Sequence, residues 1–566
     1  MRKPEATRTW GADLQAQILA QRDRDCSVLS EDAEPAKGKT AQLIVVGVCS
    51  FLIVLLLAYG WQFFLQDSLM QDSLMQSGLM QSSVFQLSLG LAALGAWRLF
   101  WSGLTYRRAR RYSSRDWPAL RRRADRIWTK GWRPERLHIQ ITACFETPEL
   151  GRQVIFELVR QIRNEAIPTT VYYGTTSAYD EAILNELFEE AAREREQGED
   201  ELGLELVFIR LQTAGHFVSM GKVLREIRRW GAGPDDLIIF LDDDTILGPD
   251  VLKKTLPLFA LDMELQLVTT DQKAICFGAS WICTWLRLRF EQRRQELSSQ
   301  ALSGRILPFS GRIRILRARD ILDESFICAQ EVHQQGLEQA SRFRRLSVAD
   351  SITWCHLLKN KGKMLFVPDV HVYSISLLKG VGWHRIALHL RRWSGQMMQR
   401  SGQVIAMGPV NIPTFVWLRV VDLRLSALLA IFVPLVLLSG EMMRPGFAAF
   451  WISLVFLVRV LLGVLVLEYQ RNPWILLPYT LCVTSVVHGG VTLFEWASRV
   501  RHFLSPDGPD GAVGFGYMDP DSAPLDWSGL RKAEFGGAEF NGGAQDDRQP
   551  DNRGLDNRGQ YDSGPG

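Results

Sequence analysis

Several shortages in this chain each exclude a class of protein. Its 566 residues carry 65 Lys and Arg against 62 Asp and Glu, so no basic excess marks it as a nucleic-acid binder. The eight Cys are scattered and never form CxxC, which excludes a disulfide-dense secreted scaffold and a zinc ribbon. No GxxxxGK[ST] phosphate loop occurs. With 47% hydrophobic and 22% charged residues, wholesale disorder is excluded too. What the chain does hold is apolar and aromatic, with 18 Trp and 28 Phe, and much of it is gathered in blocks.

Those blocks predict membrane segments. Residues 41–65 run 25 positions without a charge, about enough for a ~30 Å hydrocarbon core. A polar stretch precedes them and no small-residue cleavage site follows, so a span is expected rather than a cleaved leader. Residues 73–97 are also uncharged, and Arg98 stands where a long side chain can snorkel to the interface. From Arg107 to Arg136 twelve basic residues face three acidic ones, which assigns this side to the cytoplasm; Lys37 and Lys39 agree. Three more apolar blocks lie at 421–440, 445–467 and 474–494. The middle one carries Arg459, which wants either a polar passage or an interfacial position. Arg499 and Arg501 read as cytoplasmic, which three full spans do not give, so the number of spans stays open.

The expected organisation follows. Residues 1–40 form a polar tail, 41–104 two membrane helices, 105–410 a soluble domain with interfacial helices, and 411–500 further membrane helices. Residues 501–566 are rich in Gly, Pro, Asp and Asn, repeat DNRG twice, and are expected to be disordered. A five-residue repeat, QDSLM, starts at 66 and fits neither a helical face nor strand alternation.

Within 105–410, strand and helix patterns alternate. Apolar strand runs at 137–144, 169–174, 204–210 and 236–244 are separated by helical periods at 148–166, 180–197 and a third ending near Trp230. Near-continuous apolar strands joined by helices imply an α/β fold with a doubly wound, mostly parallel sheet. Ligands in such sheets bind beyond the carboxyl ends of the strands. The fourth run ends there in Asp242, Asp243 and Asp244.

In an extended strand end, residues i and i+2 share a face, so Asp242 and Asp244 are expected to point to one site and Asp243 away. Two carboxylates there suit a hard cation, Mg²⁺ or Mn²⁺, bridging a diphosphate. The alternative is a solvated turn that caps a following helix. A second landmark is Asp350, at the start of an apolar helical run. It suits either an N-cap or a general base that takes a hydroxyl proton. The third is the RRW of 391–393. Arg392 and Trp393 read as an interfacial anchor, or as a diphosphate-neutralising Arg beside a sugar-stacking Trp.

Three landmarks in this order between membrane helices resemble the processive family-2 glycosyltransferases, which include cellulose, hyaluronan and mannuronan synthases. The chain is most similar to the catalytic subunit of alginate (mannuronan) synthase over roughly residues 40–500. IPTTVYYG (167–174), FLDDDTILGPDVLKKTLP (240–257), LRLRFEQRR (286–294), ALSGRILPFSGRIRILRA (301–318), VADSITW (348–354), FVPD (366–369) and RRW carry the likeness. It implies a GT-A-like catalytic domain on the cytoplasmic face of the inner membrane, in a multi-pass protein. The implied reaction is inverting, processive transfer of mannuronate from GDP-mannuronate to a β-1,4 chain, coupled to export.

By the same resemblance, Asp242 and Asp244 hold the metal, while Asp180, Asp242 and Arg392 serve the donor. Asp350 is the base, and Gly311, Arg312 and Trp393 border the acceptor. Arg312 and Arg305 are candidates to meet a uronate carboxylate. Implied partners are the nucleotide sugar, the growing polysaccharide, the lipid bilayer, and separate cyclic-di-GMP-binding or periplasmic export subunits. Ala349 stands where an acidic residue precedes the base, and His389 where cellulose and hyaluronan synthases have Gln. The alternatives are a processive synthase with a UDP-sugar donor and a non-catalytic membrane scaffold of the same fold.

Overall fold

The computed structural model describes residues 78–142, 148–175, 178–193, 203–210, 216–242, 244–278, 280–307, 312–330, 348–378 and 401–454. The expected span at 41–65, most of the five-residue repeat, the blocks beyond 454 and both tails lie outside these residues. Asp243, Gly311, Arg392 and Trp393 lie outside them as well.

Strands β1 (Leu137–Thr142), β2 (Thr169–Thr175), β3 (Leu204–Arg210) and β4 (Leu237–Asp242) pair in parallel in the order β3-β2-β1-β4. Helices α1 to α3 make the crossovers: α1 is Pro148–Glu165, α2 is Ala178–Arg193 and α3 is His216–Arg229. Both β2 and β4 are buried along their whole length, the signature of strands covered on both faces. A buried polar trio stitches three strands near their amino ends. His138 Nδ1 lies 3.1 Å from the Tyr172 hydroxyl, and its Nε2 lies 3.3 Å from Asp236 Oδ2. Burial pushes the Tyr172 phenol up to about 12, so it stays protonated and able to donate.

The rest of the sheet departs from pure alternation. Strand β5 (Thr245–Leu247) follows β4 at once, and β6 (Leu265–Gly278), β7 (Ile313–Arg317) and β8 (Lys363–Leu378) complete the order β3-β2-β1-β4-β7-β6-β8-β5. Strand β7 is antiparallel to both β4 and β6, β6 and β8 are parallel, and β5 is antiparallel to β8. This is a mixed, mostly parallel α/β sheet. Two further helices frame it: α4 (Ser280–Ala301) leaves the end of β6, and α5 (Val348–Lys359) precedes β8.

Outside the sheet, a helical run from Gly78 to Arg111 passes through a π-helical turn at Tyr112–Asp116 into a helix at Trp117–Thr129. Among the described residues this run is the one long and apolar enough to cross a membrane. It leaves Phe85, Leu89 and Phe100 exposed. A second helix, Thr414–Met443, exposes Phe432, Leu435, Leu438 and Met442 at helical spacing. Contiguous exposed apolar stripes of this kind mark surfaces that meet something other than water.

Arg98 does not snorkel. Its Nη1 donates to Asp422 at 3.0 Å, as does Trp97 Nε1 at 3.0 Å, and Arg419 Nη1 reaches the same carboxylate at 2.5 Å. The Asp422 side chain is wholly buried. Arg419 Nε also donates to Glu296 of α4 at 2.6 Å, and Arg108 Nε donates to the Ser299 carbonyl of α4 at 3.2 Å. Two apolar helices are thus pinned to α4 by charge. A buried ion cluster that loses one member leaves the others uncompensated. Asp422→Ala strands two cations and is expected to cost on the order of 3 kcal/mol, measured as loss of thermal stability of the detergent-solubilised chain. Leu425→Ala, at a half-exposed position three residues on, is expected to cost far less.

Candidate active site

The register of the parallel strands builds the site. Thr142 of β1 pairs with Gly174 of β2 and with Asp242 of β4, so the carboxyl ends of three strands form one row. Asp242 is the last residue of β4 and is 8% exposed. Asp244 follows in the turn before β5. Because β5 intervenes, the acids do not cap the helix that starts at Val251.

Arg312 shows that Asp242 and Asp244 face the same way. Its Nη1 approaches Asp242 Oδ2 at 3.4 Å and also pairs with Asp244 Oδ1. The backbone fixes where this happens, since Asp242 N–H donates to the Arg312 carbonyl at 3.1 Å and Leu241 pairs with Ile313. The three side chains are only 12%, 16% and 24% exposed, so their charges interact with little screening. In this arrangement Arg312 is committed to the acids rather than extended toward an acceptor.

Arg305, the other candidate for a sugar carboxylate, lies elsewhere. Its guanidinium donates to the Gly304 carbonyl at 2.8 Å and to that of Lys361. Lys363, two residues on, starts β8 opposite Leu265, at the far end of the sheet from the acids. Arg305 is therefore a backbone clamp at the wrong end for the site.

Asp180 is the third residue of α2, just beyond the carboxyl end of β2. The acid beside it, Glu181, is already used. It accepts from Thr175 Oγ1 at 2.6 Å and from Arg210 at 2.6 Å and 3.1 Å, which ties the ends of β2 and β3 together. These hydrogen bonds, that of Arg210 first, hold its carboxyl below the usual range.

Asp350 is the third residue of α5, inside the first turn rather than ahead of it, so it is not the N-cap. The helix ends at Lys359, and β8 begins at the far end of the sheet.

Another set of residues, at the acids' end of the sheet, escapes a reading of the sequence. Where β6 passes β7, its pairing with β8 shifts register between Thr270 and Asp271, leaving Pro368, Asp369 and Val370 as a bulge on β8. A proline, with no N–H to give to a ladder, suits such a bulge. The bulge begins within the FVPD segment. Arg121 makes two bonds of 2.8 Å to Asp369, stacks over Trp117 at 4.8 Å, and so turns part of the basic run 107–136 inward. Tyr112 donates to the Phe366 carbonyl at 2.6 Å.

Beside the bulge, Asp271 is buried between Arg294 of α4 at 3.5 Å and His371 at 3.2 Å. Gln272, Phe290, Arg293 and Phe366 line a tight recess beside them, with no room for a water. Gly248, which follows β5, donates its N–H to the His371 carbonyl at 3.0 Å. A Cβ there would come within 2.3 Å of that oxygen, so only glycine lets β5 and the acid-bearing turn lie this close to β8. The LRLRFEQRR run contains Arg294, but nothing in sequence links it to Asp271.

The two acids suit a hard divalent ion. They offer carboxylate oxygens alone, on one side, at the end of the sheet where diphosphates bind. Among the described residues no cluster of three or more His, Cys, Asp or Glu could hold a metal. Two carboxylates would supply only part of such an ion's oxygen ligands.

Two expectations follow from this geometry. Asp242→Asn and Asp244→Asn should each abolish sugar transfer while membrane yield persists; equal loss on Asp243→Asn would contradict the one-sided arrangement. For Asp271, burial opposes ionisation, but Arg294 and His371 outweigh it and hold the carboxyl below its usual range. A depressed carboxyl contributes stability above its unfolded value, about 3.9, and that contribution is lost as pH falls through the folded value. Asp271→Asn should lower thermal stability at pH 7 and flatten its decline below about pH 4.

The region that holds these residues is similar to known proteins. The family model described as "Glycosyltransferase like family 2" matches residues 134–395. The chain is 24% identical over 375 residues to "Glycosyltransferase alg8" of Pseudomonas syringae pv. tomato, covering 66% of this chain and 74% of that protein. It is likewise 24% identical over 372 residues to "Glycosyltransferase alg8" of Azotobacter vinelandii, covering 65% and 73%. Among solved structures it is similar to a mannosyltransferase from Pyrobaculum calidifontis in complex with GDP-Man and Mn²⁺, at 13% identity and a TM-score of 0.40, covering 73% of this chain and 98% of that one. A glucosyl-3-phosphoglycerate synthase from Mycobacterium tuberculosis in complex with Mn²⁺ and UDP matches at 11% identity and a TM-score of 0.25, over 49% and 81%. The match spans residues 134–395, somewhat under half of the chain, and marks that stretch as a glycosyltransferase domain similar to family 2.

Proposed function

We propose that this glycosyltransferase is a membrane-embedded processive synthase that polymerises mannuronate from GDP-mannuronate into a β-1,4-linked chain. The observation that carries the reading is the pairing of two features in one unit. Asp242 and Asp244 converge at the diphosphate end of the sheet. The same domain is bolted through α4 to helices with exposed apolar stripes. A soluble glycosyltransferase has no use for the second feature. The donor sugar is argued from the motif resemblance and from the two relatives named alg8.

In this reading Asp242 and Asp244 hold Mg²⁺ or Mn²⁺, and Asp180 lies near the nucleotide. When bound, the cation would neutralise charge that builds on the departing diphosphate. Asp350 accepts the proton of the attacking 4-hydroxyl, which an inverting displacement requires. Gly311, Arg392 and Trp393 keep the roles the resemblance gives them, bordering the acceptor, neutralising the leaving group and stacking on a sugar ring. The Gly78–Arg111 and Thr414–Met443 helices would sit in the bilayer, with residues 41–65 and the blocks at 445–467 and 474–494 as further membrane segments. The basic run from Arg107 keeps the catalytic domain on the cytoplasmic side. Cyclic-di-GMP-binding and export functions would belong to separate subunits.

Membranes containing the chain, offered radiolabelled GDP-mannuronate and UDP-sugars in parallel, should incorporate label only from the GDP donor into polymer. Incorporation from a UDP-hexose instead would assign the chain to the cellulose- or hyaluronan-like group. Asp350→Asn keeps side-chain size and should lower polymer synthesis about 10²–10⁴-fold, with nucleotide-sugar binding and membrane abundance retained. Full activity in that variant would remove Asp350 from the mechanism.

A further inference from the structure

The geometry points to Arg312 as a displaceable counter-ion that makes cation binding at Asp242 and Asp244 depend on the nucleotide diphosphate. This inference rests on the proposed metal role of the two acids. One guanidinium nitrogen, Nη1, serves both carboxylates, approaching Asp242 Oδ2 at 3.4 Å and pairing with Asp244 Oδ1. A cation bridging the two acids needs lone pairs on those same groups. A guanidinium and a divalent ion cannot share them, because like charges in a cleft this poorly exposed repel with little screening.

The sheet decides which part of Arg312 can yield. Its carbonyl accepts the Asp242 N–H at 3.1 Å, and the next residue, Ile313, pairs with Leu241 inside the ladder. The main chain is therefore fixed opposite the acids, and only the side-chain torsions are free to carry the guanidinium off. A bare cation displaces it without offering it a new partner. A cation that arrives with a diphosphate brings anionic oxygens into the same cleft, and a guanidinium fork matches phosphate oxygens in a paired geometry. Displacement is then unfavourable for the ion alone and favourable for the ion with its diphosphate. By linkage the diphosphate and the cation raise each other's affinity by the same factor. Product release would reverse the exchange, since Arg312 returns to the acids as the diphosphate leaves.

The test reads metal binding rather than turnover. Full-length chain in detergent micelles is titrated with Mn²⁺, free ion being followed by its electron paramagnetic resonance signal, with and without GDP and, in parallel, UDP. For the native chain, Mn²⁺ alone should bind weakly and nucleotide should tighten it strongly. Arg312→Gln should bind Mn²⁺ alone about 10- to 100-fold tighter, the scale of one charged hydrogen-bonded pair, and nucleotide should then add much less. Arg312→Lys should keep weak binding of the bare ion, because a point charge still competes. It should lose part of the nucleotide effect, because the planar fork is gone. If either nucleotide tightens Mn²⁺ by the same factor in native chain and Arg312→Gln, or if Arg312→Gln binds bare Mn²⁺ no tighter, the role of Arg312 is overturned while the metal site stands. If the native chain binds no Mn²⁺ under any condition, or Asp242→Asn binds it unchanged, the metal role of the acids falls, and this inference with it.

Discussion

Two carboxylates held on one side of a buried strand end repel each other and demand a cation, and the architecture around them follows from that demand. Asp242 cannot turn away, because its backbone is locked between β1 and Arg312, the residue before β7. Asp244 cannot drift, because β5 begins immediately after it and is pinned to β8 across Gly248. A charge pair of this kind is costly in the free protein and useful in a complex. Arg312 compensates it in this structure, and metal and diphosphate would do so in the proposed complex. The strain of placing like charges together is the feature that selects for a ligand of opposite sign.

The second constraint is mechanical. Helix α4 leaves the end of β6 and makes polar contacts in two directions. Arg294 reaches Asp271 and the bulge of β8, while Glu296 and Ser299 take hydrogen bonds from Arg419 and Arg108 on the apolar helices. Arg121 and Tyr112 make a second connection to the bulge from the helical run that follows Arg111. Charged hydrogen bonds are directional, so they fix orientation where apolar packing alone would permit sliding. The proposed synthase, passing its product from a cytoplasmic site to a path through the bilayer, would need such a fixed relation. In the proposed mechanism, Ala349 stands where the resemblance puts an acidic neighbour to Asp350, so the tuning of Asp350 would fall to its pocket.

The sequence by itself determined the parallel half of the sheet and the principal acids. Strands at 137–142, 169–175, 204–210 and 237–242 and the helices between them are local patterns of apolar period, so they survive without knowledge of partners. Strand alternation leads to the expectation that Asp242 and Asp244 share a side, but β4 ends at Asp242 and Asp244 lies in the turn, so it is Arg312 reaching both that relates them. Tertiary structure decided the rest, because the rest is made by residues far apart in the chain. Strand β5 has three residues, too few to show a period, and TTDQK interrupts the apolar pattern of β6. Asp271 becomes a buried ion-pair partner only because a bulge a hundred residues on brings His371 beside it. Arg98 reads as a snorkelling side chain until Asp422, 324 residues away, is placed against it. Arg305 and Arg312, seven positions apart, look equivalent in sequence, yet the antiparallel entry of β7 sends one to the acids and the other to the far edge. Charge and period are written locally, whereas the partner that gives a charge its meaning is set by strand pairing across the chain.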